Sequence, residues 1–501
     1  MVPVTLSSPS SLPRHIHEKS RQESARVAID LGAESCRVSL LRWRSGQPEI
    51  ELIHRFANGP AHQGVSLRWP LGAIQAGLEE GLRKAAECAP EGIASIAVDG
   101  WAVDYVRLGP DGKPLAEPFC YRDERTLAAK LAADAVAPPE ALFHRTGAQP
   151  LRINTVYQLL ADPASGIDPR APWLCLPEYI LYWLGGRRVA EYTNATHTGL
   201  VEIGTGVWSR GLFELLGIPY DAAPPIVPAG TILGRLKGPL AALPAFRETL
   251  LIAPACHDTA SAIAGISTSL RSTAYICSGT WSLVGTLVPA PITGQEALKA
   301  RYTNQGAAGG GFCFHTNVNG MWTLKQCMDG WSIEGRPWQI ADLVQKAGIC
   351  EMPPGKIDVD AEPLLLEGQM PARINHELTL RGLPPIPDIP GNEPLFARLI
   401  FESLAGRYAN ALDHLEKMLG RKLEGITILG GGSRNKLLTR LTAQRTGLPV
   451  TSGHPESSTI GNFAVQLAAS EACGKPLNHE AIRRWAETLC NNSSMDQEIA
   501  S

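Results

Sequence analysis

The chain lacks most of the features that would place it in a specialised class. None of its eleven cysteines forms a C-x-x-C pair, so neither a zinc ribbon nor a dithiol redox motif is written here. No uninterrupted apolar run reaches the roughly 18 residues needed to cross a bilayer, and the first two dozen residues lack the apolar block of a secretory signal. G-x-x-x-x-G-K-S/T is missing, which disfavours a P-loop. G-x-G-x-x-G does not follow the first predicted strand, which weighs against a dinucleotide-binding dehydrogenase. Neither sign of charge dominates: 46 Lys and Arg stand against 49 Asp and Glu, which argues against a surface built to coat nucleic acid.

What is present fits a mixed α/β protein. The 501 residues, 44% hydrophobic, suffice for about three units of ordinary size or two large domains with a cleft between them. Forty-nine glycines and 39 prolines supply many tight turns, and the composition excludes a coiled coil or a collagen-like fibre. The scattered cysteines, with Cys256 and Cys277 inside apolar runs, predict free thiols in the core and a reducing, cytoplasmic compartment. Residues 1–24 predict a disordered lead-in, and residues 491–501 a loose tail.

A short alternating strand at 26–30 ends in Asp30, a turn follows, and 36–41 returns. Residues 49–53 supply a third strand, 72–88 a helix with Ile74, Leu78, Leu82 and Ala85 at helical spacing, and 95–99 an apolar central strand. The same grammar recurs later. Strand 272–277, turn Ser278-Gly279-Thr280 and strand 281–286 precede a long helix with Asn392 as N-cap, an apolar face of Leu395, Leu399, Leu404, Tyr408, Leu412 and Leu415, and Gly420 as C-cap. Strand 426–429 and the triple glycine 430–432 come next. Duplicated α/β lobes are the expectation, 25–266 and 267–490, joined near Gly265. The Pro-rich text between Asp329 and Asn392 predicts a short helix plus loops.

Three glycine-containing turns, each after a strand, suggest backbone N–H groups aimed at an anion. Asp30 adds a carboxylate suited to a divalent cation. His257-Asp258-Thr259 opens a helix, where Asp258 is either an N-cap or a base for an attacking hydroxyl. Trp101 and Asp104 are either sugar-facing, as a flat apolar face and a hydroxyl acceptor, or a core tryptophan and a strand-end turn.

These residues together resemble a family. Val27-Ala28-Ile29-Asp30-Leu31-Gly32, Cys256-His257-Asp258-Thr259-Ala260-Ser261, Ser278-Gly279-Thr280-Trp281-Ser282 and Leu429-Gly430-Gly431-Gly432-Ser433 resemble the FGGY carbohydrate kinases, in order and over about residues 25–475. The stretches 191–196, 303–306 and 456–462 belong to the same likeness. The resemblance implies two actin-like (ribonuclease-H-like) lobes with an interlobe active-site cleft, and transfer of phosphate from ATP, with Mg2+, to a ketose. L-rhamnulose at O1 is the best match; L-fuculose and xylulose are the siblings. It implies Asp258 as general base and His257, Thr259, Asn317 and Ala102 beside the sugar. Ala33, Glu34, Ser35, Cys36 and Arg37, with Thr280, Lys325 and Gly431, would face ATP, and Asp30 would sit near the metal. The implied partners are the small-molecule sugar and ATP, with no nucleic acid or membrane, and the implied state is a monomer or weak homodimer. Three positions depart from the pattern. Cys36 replaces a glycine and either narrows the phosphate turn or exposes a thiol; Ala102 replaces a glycine beside the sugar; Lys325 replaces a glutamine, with Gln326 next door.

Overall fold

In the computed structural model, which describes residues 23–268 and 272–491, the two runs of strand and turn become two six-stranded sheets. The expected lead-in and tail fall almost wholly on residues 1–22 and 492–501, outside the described part. The first sheet contains β1 (Ala25–Leu31), β2 (Ser35–Arg44), β3 (Gln47–Ala57), β4 (Ile93–Gly100), β5 (Thr231–Arg235) and β6 (Leu250–Ala253), in the order β5-β6-β4-β1-β2-β3. β1 is buried along its whole length, Arg26 and Asp30 included, as a central strand covered on both faces is. The second sheet contains β7 (Thr273–Ser278), β8 (Trp281–Val288), β9 (Tyr302–Gly306), β10 (Phe312–Asn319), β11 (Gly425–Leu429) and β12 (Val450–Ser452), in the order β9-β10-β8-β7-β11-β12.

The sheets repeat one plan. In each, an antiparallel hairpin (β1/β2, β7/β8) lies beside a parallel strand (β4, β11) reached through a crossover. In the first lobe α1 (Leu71–Cys88) packs Ile74, Leu78 and Leu82 on the sheet. In the second, the corresponding crossover ends in a 27-residue helix. Of the apolar face read from the sequence, Glu393–Leu419 buries Leu399, Leu404, Tyr408, Leu412 and Leu415 and leaves Leu395, in the first turn, half-buried; Gly420 closes the helix in the left-handed conformation. Asn392 occupies the N-cap position, but its amide donates to the Pro387 carbonyl instead of capping the helix.

Residues 329–392 form more helix than their prolines suggest. Ile340–Ile349 and Met370–Leu380 are both α-helical, with the 3-10 turn Glu362–Leu365 between them. The proline pairs 353–354 and 384–385 fall in the connections, and Leu343, Ala347, Ile374 and Leu378 are buried at helical spacing.

Two helices join the lobes: α2 (Asp258–Ala264), after β6, and α4 (Ser457–Ala472), after β12; we call the long helix Glu393–Leu419 α3. Although α4 belongs to the second half of the chain, it lies on the first sheet. Gln466 donates to the Val27 carbonyl at 3.0 Å and accepts from Ser95 Oγ at 2.6 Å, and Asn462 donates to Asp99 at 2.6 Å. α2 and α4 meet at glycines. A Cβ on Gly461 would lie 1.7 Å from the Ser261 carbonyl oxygen, and one on Gly265 would lie 2.4 Å from that of Ser457. Among the described residues no helix is long and apolar enough to cross a membrane.

Candidate active site

The ends of β1, β4 and β6 meet at one edge of the first sheet, beside α4 and facing the second lobe. Pairing brings the acidic residues together: Asp30 is the parallel partner of Asp99, and Gly100 bridges to His257. Asp258 follows as the first residue of α2, one place inside the N-cap position held by His257. Burial raises the pKa of Asp258 to about 7, with help from the charge of Asp30, although about a third of its side chain still reaches solvent. Its hydrogen bonds are one-sided. Thr259 donates to Oδ1 from both its backbone N–H and its hydroxyl (3.2 Å), and His257 Nε2 lies 3.2 Å from the same oxygen. None of these contacts uses Oδ2.

Asp30 is buried, and burial pushes its carboxyl upward; Arg37 and Ser458 partly offset this. Arg37 donates to Asp30 Oδ2 (3.1 Å) and to Glu456 of the other half (2.9 Å), while Ser458 donates to Asp30 Oδ2 (2.9 Å). Asp99 is fully buried and its carboxyl is pushed well upward, by burial first and then by Asp30. Its Oδ1 has no partner. The charge of Asp30 raises the pKa of both Asp99 and Asp258, a repulsion that a divalent cation at Asp30 would relieve. Among the described residues no cluster of three side chains could hold a metal unaided. A cation at Asp30 that also takes phosphate oxygens and water needs no such cluster.

The turn between β1 and β2 is tight. A Cβ on Gly32 would stand 2.4 Å from the Ser35 carbonyl oxygen, so this corner admits only glycine. Ala33 and Ser35 are half-buried and Glu34 is exposed. Cys36 resolves the alternative left by the sequence: its side chain is buried in the first-lobe core, and burial pushes its thiol up to about 12. It exposes no reactive sulfur.

From the second lobe, the turn at Ser278-Gly279-Thr280 starts the helix Trp322–Ile333, because Met321 N donates to Gly279 O and Trp322 N to Thr280 O. Thr280 is half-buried. Lys325 on that helix is exposed and pairs with Asp329 at 2.9 Å, within reach of the charge of Glu34 across the cleft. Gln326 is already used, accepting from Gly368 N. Gly431 is exposed with open space around it, while a Cβ on Gly432 would strike Ser278 Oγ at 2.1 Å. The triple glycine is therefore clamped on the Ser278 turn and leaves bare backbone outside. Asn317 is exposed on β10, on the same strand face as buried His315.

Trp101 and Asp104 take the interior place. Asp104 is fully buried, accepting from Trp69 Nε1 (2.6 Å), Trp101 Nε1 (3.0 Å), Gln158 Nε2 (3.0 Å) and Tyr121 N (3.2 Å), and the Trp69 and Trp101 rings stack with centroids 4.3 Å apart. With its acceptor positions engaged, this carboxylate has little left for a sugar hydroxyl. Between them Ala102 is buried, and Val103 is held at φ 72°, a strained conformation for a β-branched residue. Trp281 is 45% exposed.

Several residues at the site carried no role in the sequence reading. Glu191 accepts from Cys256 N (2.9 Å) and from both donors of Thr193, docking the segment that leads into His257. His197 Nε2 contacts His257 Nδ1 at 2.9 Å, and Gln305 Nε2 contacts His197 Nδ1 at 2.9 Å. Glu456 and Ser458 hold Arg37 and Asp30. Glu191, Gln305, Glu456 and Ser458 lie in stretches that carried the family resemblance, and His197 directly follows one; what the sequence withheld was most of their partners, which are distant in the chain.

Comparison with known proteins agrees with this geometry. Residues 26–265 match the N-terminal domain and residues 274–470 the C-terminal domain of the FGGY family of carbohydrate kinases. Two of the similar relatives are named rhamnulokinase. One, from Ligilactobacillus salivarius, is 33% identical over 88% of this chain and 90% of its own length; the other, from Pectobacterium carotovorum, is 34% identical over 88% of each. The fold resembles a ligand-bound xylulose kinase from Lactobacillus acidophilus (TM-score 0.74, 16% identity, 93% and 92% of the chains). It also resembles a Plasmodium falciparum glycerol kinase with ADP (TM-score 0.69, 12% identity, same coverage). Kinases of this family use ATP with a divalent metal. The chain belongs to the FGGY family of carbohydrate kinases, and it is an ATP-dependent sugar kinase with a two-lobe actin-like fold.

Proposed function

We propose that this kinase phosphorylates L-rhamnulose at O1, giving L-rhamnulose 1-phosphate, with Asp258 as the general base. The observation that carries the proposal is the free Oδ2 of Asp258. This oxygen belongs to a carboxyl that titrates near neutrality, at the edge where the two lobes face each other. A base poised near the working pH is the one protein group that removal of a hydroxyl proton requires. The substrate assignment is supported by the relatives named rhamnulokinase.

In this mechanism Oδ2 accepts the proton of O1 as that oxygen attacks the γ-phosphate in line. Asp258 is held by its Oδ1 contacts, so its orientation is set before the sugar arrives. Thr259, His257, Asn317 and Ala102 line the sugar side. Trp101 and Asp104 act from behind by fixing the turn that carries Ala102. The segment Ala33, Glu34, Ser35, Cys36 and Arg37, with Thr280, Lys325 and Gly431, forms the ATP side through backbone N–H groups and two cations. Mg2+ held at Asp30 would neutralise charge on the phosphates. We assign the lobes to residues 25–266 and 267–490 and place the enzyme in the cytoplasm as a monomer or weak homodimer.

A panel of L-rhamnulose, L-fuculose and xylulose, incubated with ATP and Mg2+ and read by product mass, tests the substrate. Asp258→Asn tests the base, with turnover abolished and sugar affinity held within a few-fold. Preference for another ketose overturns the first assignment, and retained turnover overturns the second.

A further inference from the structure

We infer that His197 and Gln305 are positioning residues for the phosphoryl-transfer step, locking the His257 imidazole in the tautomer that turns its Nε2–H toward Asp258 Oδ1. The inference rests on Asp258 being the base.

The contacts form one line across the lobes: Gln305 Nε2 to His197 Nδ1 (2.9 Å), His197 Nε2 to His257 Nδ1 (2.9 Å), and His257 Nε2 to Asp258 Oδ1 (3.2 Å). A neutral imidazole has one donor and one acceptor nitrogen, so fixing one end of the line fixes every proton along it. The Asp258 carboxylate is the end that decides, because an ionised carboxylate only accepts. If His257 Nε2 lacked its proton, two acceptors would face each other at 3.2 Å. With the proton on Nε2, His257 Nδ1 accepts from His197 Nε2–H, and His197 Nδ1 accepts from the Gln305 amide. The proton at the end of the line then sits on His257 Nε2, the ring nitrogen 3.2 Å from Asp258 Oδ1. Both imidazoles are held neutral: burial lowers His257 to about 3 and His197 well below the usual histidine range, so a second proton does not blur the order.

His197 is built to hold this place. It lies in the 3-10 turn Thr196–Thr198; its carbonyl accepts from Asn154 Nδ2 (3.0 Å), and the neighbouring Thr196 hydroxyl accepts from Gly306 N on β9 (2.9 Å). Gln305 is buried on the same strand. The first lobe thus supplies both histidines and the second supplies the amide that orients them. Without the line, the His257 ring is free to take the other tautomer, and Asp258 loses a donor that stabilises its ionised form.

The test uses His197→Phe, which keeps a ring without nitrogens, and His197→Gln, which restores a donor and an acceptor. Kinetics are measured with the ketose identified by the panel above. In His197→Phe, kcat falls about 10- to 100-fold, as for the loss of one or two polar contacts that orient the base, while KM for the sugar stays within about threefold. In His197→Gln most of the loss is recovered. Solid-state 15N NMR of histidine-labelled wild-type protein finds the His257 proton on Nε2, and His197→Phe gives a tautomer mixture. An unchanged kcat, a loss that glutamine does not relieve, or a wild-type His257 protonated at Nδ1 overturns the inference. The wild-type spectrum decides even if His197→Phe does not fold. Turnover by Asp258→Asn would instead sink the base assignment and leave the spectrum to judge the line of contacts.

Discussion

Placing one methyl group at the crossing of α2 and α4 should damage both stability and catalysis. In Gly461→Ala the new Cβ would start 1.7 Å from the Ser261 carbonyl oxygen and 2.8 Å from Gly265 N, both backbone atoms that cannot rotate aside. Ordinary contact begins near 3.4 Å, so the helices must part by about 1.7 Å. Overpacking of this kind costs about 1–3 kcal/mol. For a lobe of this size that lowers Tm by about 2–12 °C. The kinetic effect should be larger, because Ser261 lies one turn from Asp258 on a seven-residue helix that moves as a unit. A shift on the order of 1 Å at a reacting group costs about 100-fold. Differential scanning fluorimetry and kcat at saturating sugar measure the two effects. Gly330→Ala is the control: in the helix Trp322–Ile333, with nothing within 4 Å of its added Cβ, it should gain up to about 1 kcal/mol and keep full activity. A Gly461→Ala enzyme with wild-type Tm and kcat would refute the claim that this crossing sets the position of Asp258.

Three further outcomes follow from burial and charge. As the proposed base, Asp258 has to be ionised to accept a proton, and its pKa is raised to about 7, so kcat/KM should rise about tenfold per pH unit below 7 and level off above; a profile flat down to pH 5 contradicts this. Stability should fall as pH rises from 6.5 to 8.5. Buried Glu178 and Glu191 are pushed up to about 8 and about 7, so the folded state keeps protons that the unfolded chain has already released; the buried histidines, neutral when folded, oppose this only near pH 6.5, where the unfolded chain still holds part of their protons; Tm across the range checks the sign. Iodoacetamide should label exposed Cys473 and spare Cys36, whose thiol is buried and pushed up to about 12; peptide mapping that finds Cys36 modified in active enzyme would contradict the packing of the turn between β1 and β2.

The sequence made some of this plain because the signals are local. The strand ending in Asp30, the helix opening at Asp258 and the stripe from Leu399 to Leu415 each follow from a few consecutive residues, and each is found in the structure. The helices of residues 340–380 were hidden because flanking prolines dominated the composition while their apolar spacing spanned only two or three turns. The role of Asp104 stayed ambiguous because its partners Trp69, Tyr121 and Gln158 come from separate segments. His197 had no local signal, and Gln305 lay in a stretch of the family likeness that gave it no role. They meet across a separation of 108 residues, and only the paired lobes create their contact.

The placement of α4 bears on how this protein is made. Val27 and Gln466 are 439 positions apart, yet they share a hydrogen bond, and around them Ala28, Ala97 and Ile252 lie beneath Phe463, Ala464 and Ala469. A ribosome that has released the first 268 residues has therefore delivered a sheet with one greasy side bare. That side waits until the segment beginning at Ser457 emerges, and such late closure slows folding and invites capture by other nascent chains. Expression of the first lobe alone should yield aggregates, and supplying the missing helix in trans is the natural remedy.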